Sequence, residues 1–242
     1  MGKILILFLF INVCGFAQFE ILKEVLKTGD ELNKVLLDFT RLTDEEENQI
    51  GEGLDKKIIA GKAGFTTNKY DVKAVFTKIK KHVTRTKINY RFALVKDPDV
   101  NAYAVAGGNV YINSGLIDFI SSEEELAFVI AHEIAHNELK HCISAIQYQV
   151  RASQVNPLLG DVIGIAYSIY RLPFSKDQEF AADELAVKLL KKAGYSKNGG
   201  IEFFRKLEKL EEKYGQDKRD GLNDFISSHP LSKQRRERIE KM

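Results

Sequence analysis

Apolar residues recur at helical spacing along most of the chain, so the sequence predicts a mainly helical protein. Outside the segment treated below, the helical patterns cover residues 19–40, 43–61, 158–172, 176–193, 199–213 and 231–241. Thr43 followed by Glu46 has the form of a capping box at the start of the second helix, and Gly194 is a typical stop signal for the fourth. The third helix is apolar but contains Asp161 and Arg171, which favours a core or hairpin helix over a membrane span.

The apolar period changes from helical spacing to alternation between residues 88 and 112. The alternating apolar positions are Ile88, Tyr90, Phe92 and Leu94. Asp97-Pro98-Asp99 then marks a turn, and a second extended stretch contains Gly107-Gly108-Asn109. These segments predict a small antiparallel β-sheet, which makes the fold class α+β with helices dominant.

A long apolar run then lies in one predicted helix, which contains an H-E-x-x-H pattern. The start signals of this helix are Ser121 and Ser122, followed three residues later by Glu124 and Glu125. His132 and His136 stand one turn apart on the same face, so both imidazoles can reach one ion. Glu133 lies between them, where it can contact a metal-bound water without being a ligand.

The surroundings of this pattern favour a metal site over a coincidence. In a chain with five histidines, composition alone gives the pattern roughly 0.01 times. Residues 126–131, just before His132, are apolar all round the helix, which predicts burial. Ionisable groups are seldom buried unless something pairs with them, and a metal ion is such a partner.

A third protein ligand is expected on the helix that covers residues 176–193. Glu179 and Asp183 lie four residues apart on one face, and the apolar positions Ala186 and Leu190 continue that face. The two carboxylates therefore point inward, unlike a solvated charge cluster. We expect Glu179 to bind the metal and Asp183 to accept the free ring N–H of a metal-bound histidine, although the spacing also allows the reverse assignment.

The N-terminus resembles a secretory signal peptide. Lys3 precedes an apolar run, and Gly15 and Ala17 supply small residues for cleavage before Gln18. Two alternatives are open: a retained membrane anchor, for which the apolar run is short, and a lipoprotein attached through Cys14. The expected organisation is a signal peptide at residues 1–17 and a single domain at residues 18–242.

Composition limits the class of protein further. The chain of 242 residues is 44% hydrophobic and 29% charged, which suits a soluble globular domain with a sizeable core. A formal net charge of +2 is too small to indicate a surface that binds polyanions, so nucleic acid is not an expected partner. After cleavage Cys142 is the remaining cysteine, and we expect it to be a small core residue rather than a nucleophile.

Four motifs in order resemble those of the M48 family of gluzincin metallopeptidases. They are His132-Glu133-x-x-His136, Glu179-x-x-x-Asp183, Asn101-Ala102-Tyr103-Ala104 with Gly107-Gly108, and Ser228-His229-Pro230. The resemblance covers most of the chain and is nearest to compact bacterial periplasmic or outer-membrane-associated members. It implies a zincin-like domain with one zinc ion bound by His132, His136 and Glu179. It also implies that Glu133 is the general base in the cleavage of peptide bonds.

The resemblance also implies how substrate binds and where the protein works. The segment of Asn101, Ala102, Tyr103 and Ala104 borders the cleft in the family, and an extended polypeptide would pair with it by β-augmentation. Because such pairing uses main-chain hydrogen bonds more than side-chain contacts, we expect broad specificity toward extended or unfolded segments. The expected setting is protein quality control after export, in the periplasm, in association with the outer membrane or its proteins, or outside the cell.

The other histidines receive different assignments. His229 is expected to stabilise the oxyanion from the side of the cleft opposite Glu133, with Arg235 as a further donor, although it can also be a packing residue at a helix start. His141 lies about 180° from His132 if the helix continues, which makes it a structural hydrogen-bonding residue. His82, beside two lysines, is expected to be solvated.

Two alternatives to an active peptidase remain open. One is a zinc-containing chaperone or assembly factor that binds unfolded outer-membrane proteins along the same strand. The presence of Glu133 argues against it, because a purely structural zinc site needs no general base. The other is a latent peptidase whose cleft is blocked by residues 19–61.

Overall fold

A computed structural model describes residues 42–60, 62–152, 159–214, 229 and 232–242. In chain order the elements are α1 (Asp44–Ile59), α2 (Val72–Lys80), β1 (Arg91–Val95), β2 (Ala102–Val105), β3 (Asn109–Asn113), α3 (Ser114–Phe119), α4 (Glu123–Glu138), α5 (His141–Ala152), α6 (Leu159–Ile169), α7 (Lys176–Ala193), α8 (Asn198–Tyr214) and α9 (Ser232–Lys241). The predicted signal peptide, its cleavage site, Cys14, the helix at residues 19–40, Ser228 and Pro230 lie outside the described residues.

Local signals in the sequence fix the starts and ends of several helices. Thr43 caps α1 in a reciprocal capping box with Glu46, and Ser122 caps α4 by accepting a hydrogen bond from the backbone N–H of Glu125. Gly194 ends α7 with φ +76°, a conformation that glycine adopts without strain. These boundaries agree with the pattern, whereas the short helices α2 and α3 were not predicted.

The sheet is mixed rather than antiparallel, and its strand order is β1-β3-β2. Strands β2 and β3 are antiparallel as predicted, and Gly107 and Gly108 join them with φ near +79°. Strand β1 pairs with β3 in parallel, so the antiparallel prediction is wrong for this pair. Local turn signals between β1 and β2 show that the chain reverses, but they do not show that β3 enters between the two strands.

One edge of this sheet is covered and the other is formed by β2. Gly64 forms an antiparallel bridge with Val95, and the backbone N–H of Lys96 donates to the carbonyl of Ala63 at 2.8 Å. This segment protects the outer edge of β1. In the described part of the chain no strand pairs with the outer edge of β2, which packs against α4.

Helix α4 is the centre of the core. It packs against α2, α7, α8 and β2, and residues from Leu126 to Ala131 are at most 2% exposed. Because the helix is surrounded on every side, its sequence is apolar all round rather than amphipathic. The prediction of a mainly helical α+β fold with a small sheet before this helix is confirmed.

Helix α4 is shorter than the sequence pattern indicated. It ends at Glu138, and Lys140 adopts φ +62°, in the left-handed region that is uncommon for residues other than glycine. A new helix, α5, then starts at His141. The angular argument that placed His141 opposite His132 on one continuous helix is therefore wrong.

Among the described residues, none of the helices combines the length and apolar character that a membrane span requires.

Candidate metal centre and active site

The two histidines of the H-E-x-x-H motif face one point beside α4. Their Nε2 atoms lie 3.0 Å apart, and both side chains are buried. Burial lowers the pKa of His136 well below its ordinary value, so this imidazole is neutral and has a free lone pair. The spacing predicted this convergence.

Helix α7 brings Glu179 to the same point. Its carboxylate oxygens lie 3.4 Å from Nε2 of His132 and 3.4 Å from Nε2 of His136. Burial raises the pKa of Glu179, but the nearby charges of Arg235 and His229 outweigh burial and hold the pKa well below its ordinary value. Glu179 is therefore an ionised carboxylate directed at two imidazoles.

Glu133 lies beside this cluster, with one carboxylate oxygen 3.8 Å from Nε2 of His229. Its side chain is 0% exposed, and neither carboxylate oxygen has a hydrogen-bond partner among the described residues. Burial raises its pKa, while the charges of neighbouring histidines and the backbone amide of Ala104 in β2 act in the opposite direction. A buried carboxyl next to β2 that lacks a hydrogen-bond partner is available to exchange protons with a bound molecule.

Asp183 supports the site from behind, one turn along α7 from Glu179. Its Oδ1 lies 3.0 Å from Nδ1 of His132, as the sequence predicted. Burial and the charge of Arg235 lower the pKa of His132, but contacts with Asp183 and Glu179 outweigh both and raise the pKa to about 9. The two carboxylates thus make this position favourable for positive charge.

Arg235, on α9, is fully buried and compensates the two carboxylates. Its Nε and Nη2 donate to the two oxygens of Asp183 at 2.8 and 2.7 Å, and its Nη1 lies 2.6 Å from Oε2 of Glu179. The sequence named Arg235 only as a further oxyanion donor. The periodicity of α9, a strongly charged helix, does not mark which of its arginines is buried.

His229 joins the cluster, but not in the position predicted. Its Nδ1 lies 3.1 Å from Glu179, and its Nε2 lies 3.8 Å from Glu133. It therefore lies beside Glu133 rather than across the cleft from it. Ligand atoms of His132, His136, Glu179 and His229 all fall within 4.8 Å of one another.

Two aromatic side chains that sequence reasoning did not place in the site also contact His136. Phe174, just before α7, stacks on the His136 ring with centroids 3.8 Å apart. His141 places its Nδ1 3.0 Å from Nδ1 of His136, and burial lowers the pKa of His141 to about 4. The aromatic residue before the α7 capping box gave no signal of this contact, whereas His141 was identified as a hydrogen-bonding residue.

The donor set fits a divalent metal ion. Imidazole nitrogens and a carboxylate oxygen are the usual ligands of a catalytic zinc. Three buried carboxyl groups face a single guanidinium, so a cation of charge +2 at this point would balance the ionised form of all of them. His132 also has its remaining ring nitrogen against a carboxylate, the usual arrangement for a metal-bound histidine.

Comparison with known proteins agrees with the motifs. The model of peptidase family M48 matches residues 67–242. The chain belongs to peptidase family M48. The resemblance noted in the four motifs is therefore confirmed.

Similar proteins from several organisms extend beyond the matched region. The mitochondrial metalloendopeptidase OMA1 of Arabidopsis thaliana is 30% identical over 154 residues, 61% of this chain and 30% of that protein. Metalloprotease LoiP of Escherichia coli is 31% identical over 164 residues, 63% of this chain and 61% of that protein. The beta-barrel assembly-enhancing protease of E. coli is 26% identical over 174 residues, 64% of this chain and 34% of that protein. The chain thus spans less than two thirds of the length of each relative.

Removing Arg235 is expected to destabilise the metal-free protein strongly. Arg235→Ala would leave the carboxylates of Asp183 and Glu179 buried without their cation, a loss of about 3–5 kcal/mol in the free energy of unfolding. Arg236→Ala is a matched control one position along the same helix, because Arg236 pairs with Glu208 and Glu240 near the surface. Denaturant unfolding of both variants measures the difference, and equal losses would contradict the role given to Arg235.

Proposed function

We propose that this protein is a zinc-dependent endopeptidase that hydrolyses peptide bonds in extended or unfolded protein segments. The observation that supports this proposal most directly is the convergence of His132, His136 and Glu179 beside the buried Glu133, in a chain of family M48. A structural zinc site would have no need of a buried carboxyl group without a hydrogen-bond partner beside its ligands, and among the described residues Glu133 is such a group. The relatives named metalloendopeptidase and protease agree with this assignment.

In this proposal His132, His136 and Glu179 hold one zinc ion. When bound, zinc polarises the scissile carbonyl and makes an attacking water more acidic. Glu133 accepts the proton of that water at its carboxylate and then donates it to the departing amine. The raised pKa of Glu133 suits both steps, since its acid form is more accessible than that of an exposed glutamate.

The remaining polar residues prepare these groups for reaction. Asp183 accepts the Nδ1–H of His132, which leaves Nε2 of that ring free to bind metal. Arg235 holds Asp183 and Glu179 in place through its paired hydrogen bonds. Both carboxylates therefore remain ionised in a buried position.

Strand β2 is the proposed docking site for substrate. The segment Asn101 to Ala104 contains most of this edge strand, and Ala104 lies beside Glu133. A polypeptide added to the outer edge of β2 would run past the general base. Main-chain pairing would then position many different sequences, which supports the proposed broad specificity.

His229 is proposed to stabilise the negative charge that develops on the carbonyl oxygen. Its contact with Glu179 uses Nδ1, and Nε2 is directed toward the region of Glu133. The ring can act as a donor there when both nitrogens hold protons. Because His229 lies among the metal-binding groups, its alternative role is to bind the metal directly.

The proposed setting is protein quality control outside the cytoplasm. The N-terminal segment supports export, with cleavage before Gln18 and with lipid attachment at Cys14 or a retained anchor as alternatives. A relative named beta-barrel assembly-enhancing protease makes outer-membrane proteins a reasonable class of substrate or partner.

A second candidate, a chaperone or assembly factor with latent activity, is favoured by the closed state of the site. His132, Glu133, His136, Glu179 and His229 are each at most 2% exposed. Phe174 also covers the His136 ring. A polypeptide has to displace covering side chains before it can be cleaved.

The central experiment compares casein digestion by the wild-type protein and by Glu133→Gln. The variant is expected to keep one zinc per chain and its unfolding temperature while its activity falls about 10²- to 10⁴-fold, because Gln cannot accept the proton. Glu123→Gln, an exposed change in the first turn of the same helix, is the control. An inactive wild-type protein with full zinc would favour the latent chaperone, and an active Glu133→Gln variant would refute the general base.

His229→Ala is expected to reduce kcat about 10²- to 10³-fold, the range for loss of one oxyanion donor, with little change in KM or zinc content. Steady-state kinetics on a fluorogenic peptide and metal analysis together check this. A variant that loses zinc would instead show that His229 supports the metal. An unchanged kcat in His229→Ala would indicate that His229 is a packing residue.

The exported protein is expected to begin at Gln18. Gly15 and Ala17 occupy the positions at which a signal peptidase requires small residues. N-terminal sequencing and intact mass of the protein recovered from the cell envelope measure this. A lipid-bearing Cys14 or an intact Met1 would contradict the prediction and identify the lipoprotein or the anchor.

A further inference from the structure

His141 lies where α4 gives way to α5, and the backbone is strained at this point. Helix α4 ends at Glu138, and Lys140 takes φ +62° before α5 begins. For a residue with a side chain, this left-handed conformation is less favourable than the right-handed region. The fold accepts this cost, and the result is that the first side chain of α5 turns back toward the H-E-x-x-H motif.

The imidazole of His141 contacts one specific atom of the site. Its Nδ1 lies 3.0 Å from Nδ1 of His136, and the two ring centroids are 5.0 Å apart with the planes at 68°. The opposite nitrogen of His136, Nε2, faces His132 and Glu179. His141 is therefore behind His136, on the side away from the metal-binding point.

This geometry restricts the position of the proton. If Nε2 of His136 binds a metal, its lone pair must be free, so the ring proton is on Nδ1. That N–H then donates to Nδ1 of His141, which must have a lone pair and hold its own proton on Nε2. Two nitrogens 3.0 Å apart cannot both be protonated without a clash or both be bare without repulsion.

The Nδ1 atom of His132, the other histidine of the motif, also has an acceptor behind it, but that acceptor is a carboxylate. Asp183 accepts from Nδ1 of His132 at 3.0 Å. Among the described residues no carboxylate contacts Nδ1 of His136, and His141 occupies that position. Phe174 stacks on the face of the His136 ring, so an edge contact and a face contact together fix its orientation.

We infer that His141 is a positioning residue that holds His136 in its Nδ1–H tautomer and directs Nε2 at the metal. The inference rests on the proposed function, since it assumes that His136 binds zinc. It goes beyond the ligand set, because His141 touches neither substrate nor metal and acts through His136. A neutral imidazole in place of the usual carboxylate also makes this ligand less basic than His132.

Three variants test the inference. His141→Ala removes the acceptor, and His141→Asn keeps an amide oxygen near the position of Nδ1. His82→Ala removes a half-buried histidine just after the end of α2, outside the cluster of metal-binding groups, and serves as the matched control. Zinc affinity is measured by competition with a chromophoric chelator, and the visible spectrum of the Co²⁺-loaded protein reports ligand geometry without any assay of activity.

His141→Ala is expected to weaken zinc binding about 10- to 100-fold and to alter the Co²⁺ spectrum. His141→Asn should restore most of the affinity, and His82→Ala should match the wild type. Wild-type affinity and spectrum in His141→Ala would overturn the inference. Equal weakening in the Ala and Asn variants would also overturn it, because loss of packing rather than of an acceptor would then be responsible.

Nitrogen-15 NMR of the histidine side chains separates this inference from the proposed function. In the wild-type protein, with or without zinc, His136 should be the Nδ1–H tautomer and His141 the Nε2–H tautomer. The opposite assignment would refute the positioning role even if zinc binds. Failure of the wild type to bind zinc would refute the proposed function, while the tautomers would still test the contact between the two histidines.

Discussion

The site depends on the cost of burying charge. Glu179 and Asp183 are ionised inside a helical core, where an unpaired carboxylate would not be tolerated. Arg235 lies against both, and through this contact α9 is joined to α7 at the point where α7 meets α4. The helices are therefore held by the same charges that prepare the metal-binding groups. A change that removes these charge contacts would therefore affect both the stability of the protein and the geometry of the site.

This constraint explains why the polar residues of the site are layered. The groups that face the metal-binding point are His132, His136 and Glu179, and each has a second contact behind it. Asp183 is behind His132, His141 is behind His136, and Arg235 is behind Glu179. Side chains fixed at two points keep their orientation when a ligand arrives, so less ordering has to occur on binding.

The closed state of the site sets a condition on function. Glu133 is ready to exchange a proton, yet it is fully buried, and Phe174 lies against His136. Among the described residues no strand pairs with the outer edge of β2, but the side chains of β2 are buried. A polypeptide that binds along β2 must therefore move the covering residues. Under the proposed function, access to the site rather than side-chain recognition would be the main limit on which substrates are cleaved.

The sequence predicted the parts of the structure that depend on local spacing. The pairing of His132 with His136 and of Glu179 with Asp183 follows from the helical period, and the caps at Thr43 and Ser122 follow from side chains three residues apart. Prediction from the sequence failed where segments that are far apart in the chain come into contact. The parallel pairing of β1 with β3 depends on an insertion between strands.

Two further residues show the same limit. The end of α4 before His141 depends on one residue, Lys140, with positive φ, which the apolar pattern does not report. The burial of Arg235, on a charged helix whose other arginines lie nearer the surface, is decided by Asp183, 52 residues away in sequence, and by Glu179.

Zinc K-edge X-ray absorption of the purified, zinc-loaded wild-type protein identifies the atoms around the metal and so tests the assigned ligand set. We expect one zinc per chain in a shell of nitrogen and oxygen only, with the outer-shell scattering of at least two imidazoles and no sulfur. A sulfur ligand would place the metal at Cys142, the remaining cysteine after residue 14. That result, or a shell without imidazole, would contradict the assignment of His132, His136 and Glu179 as the metal centre.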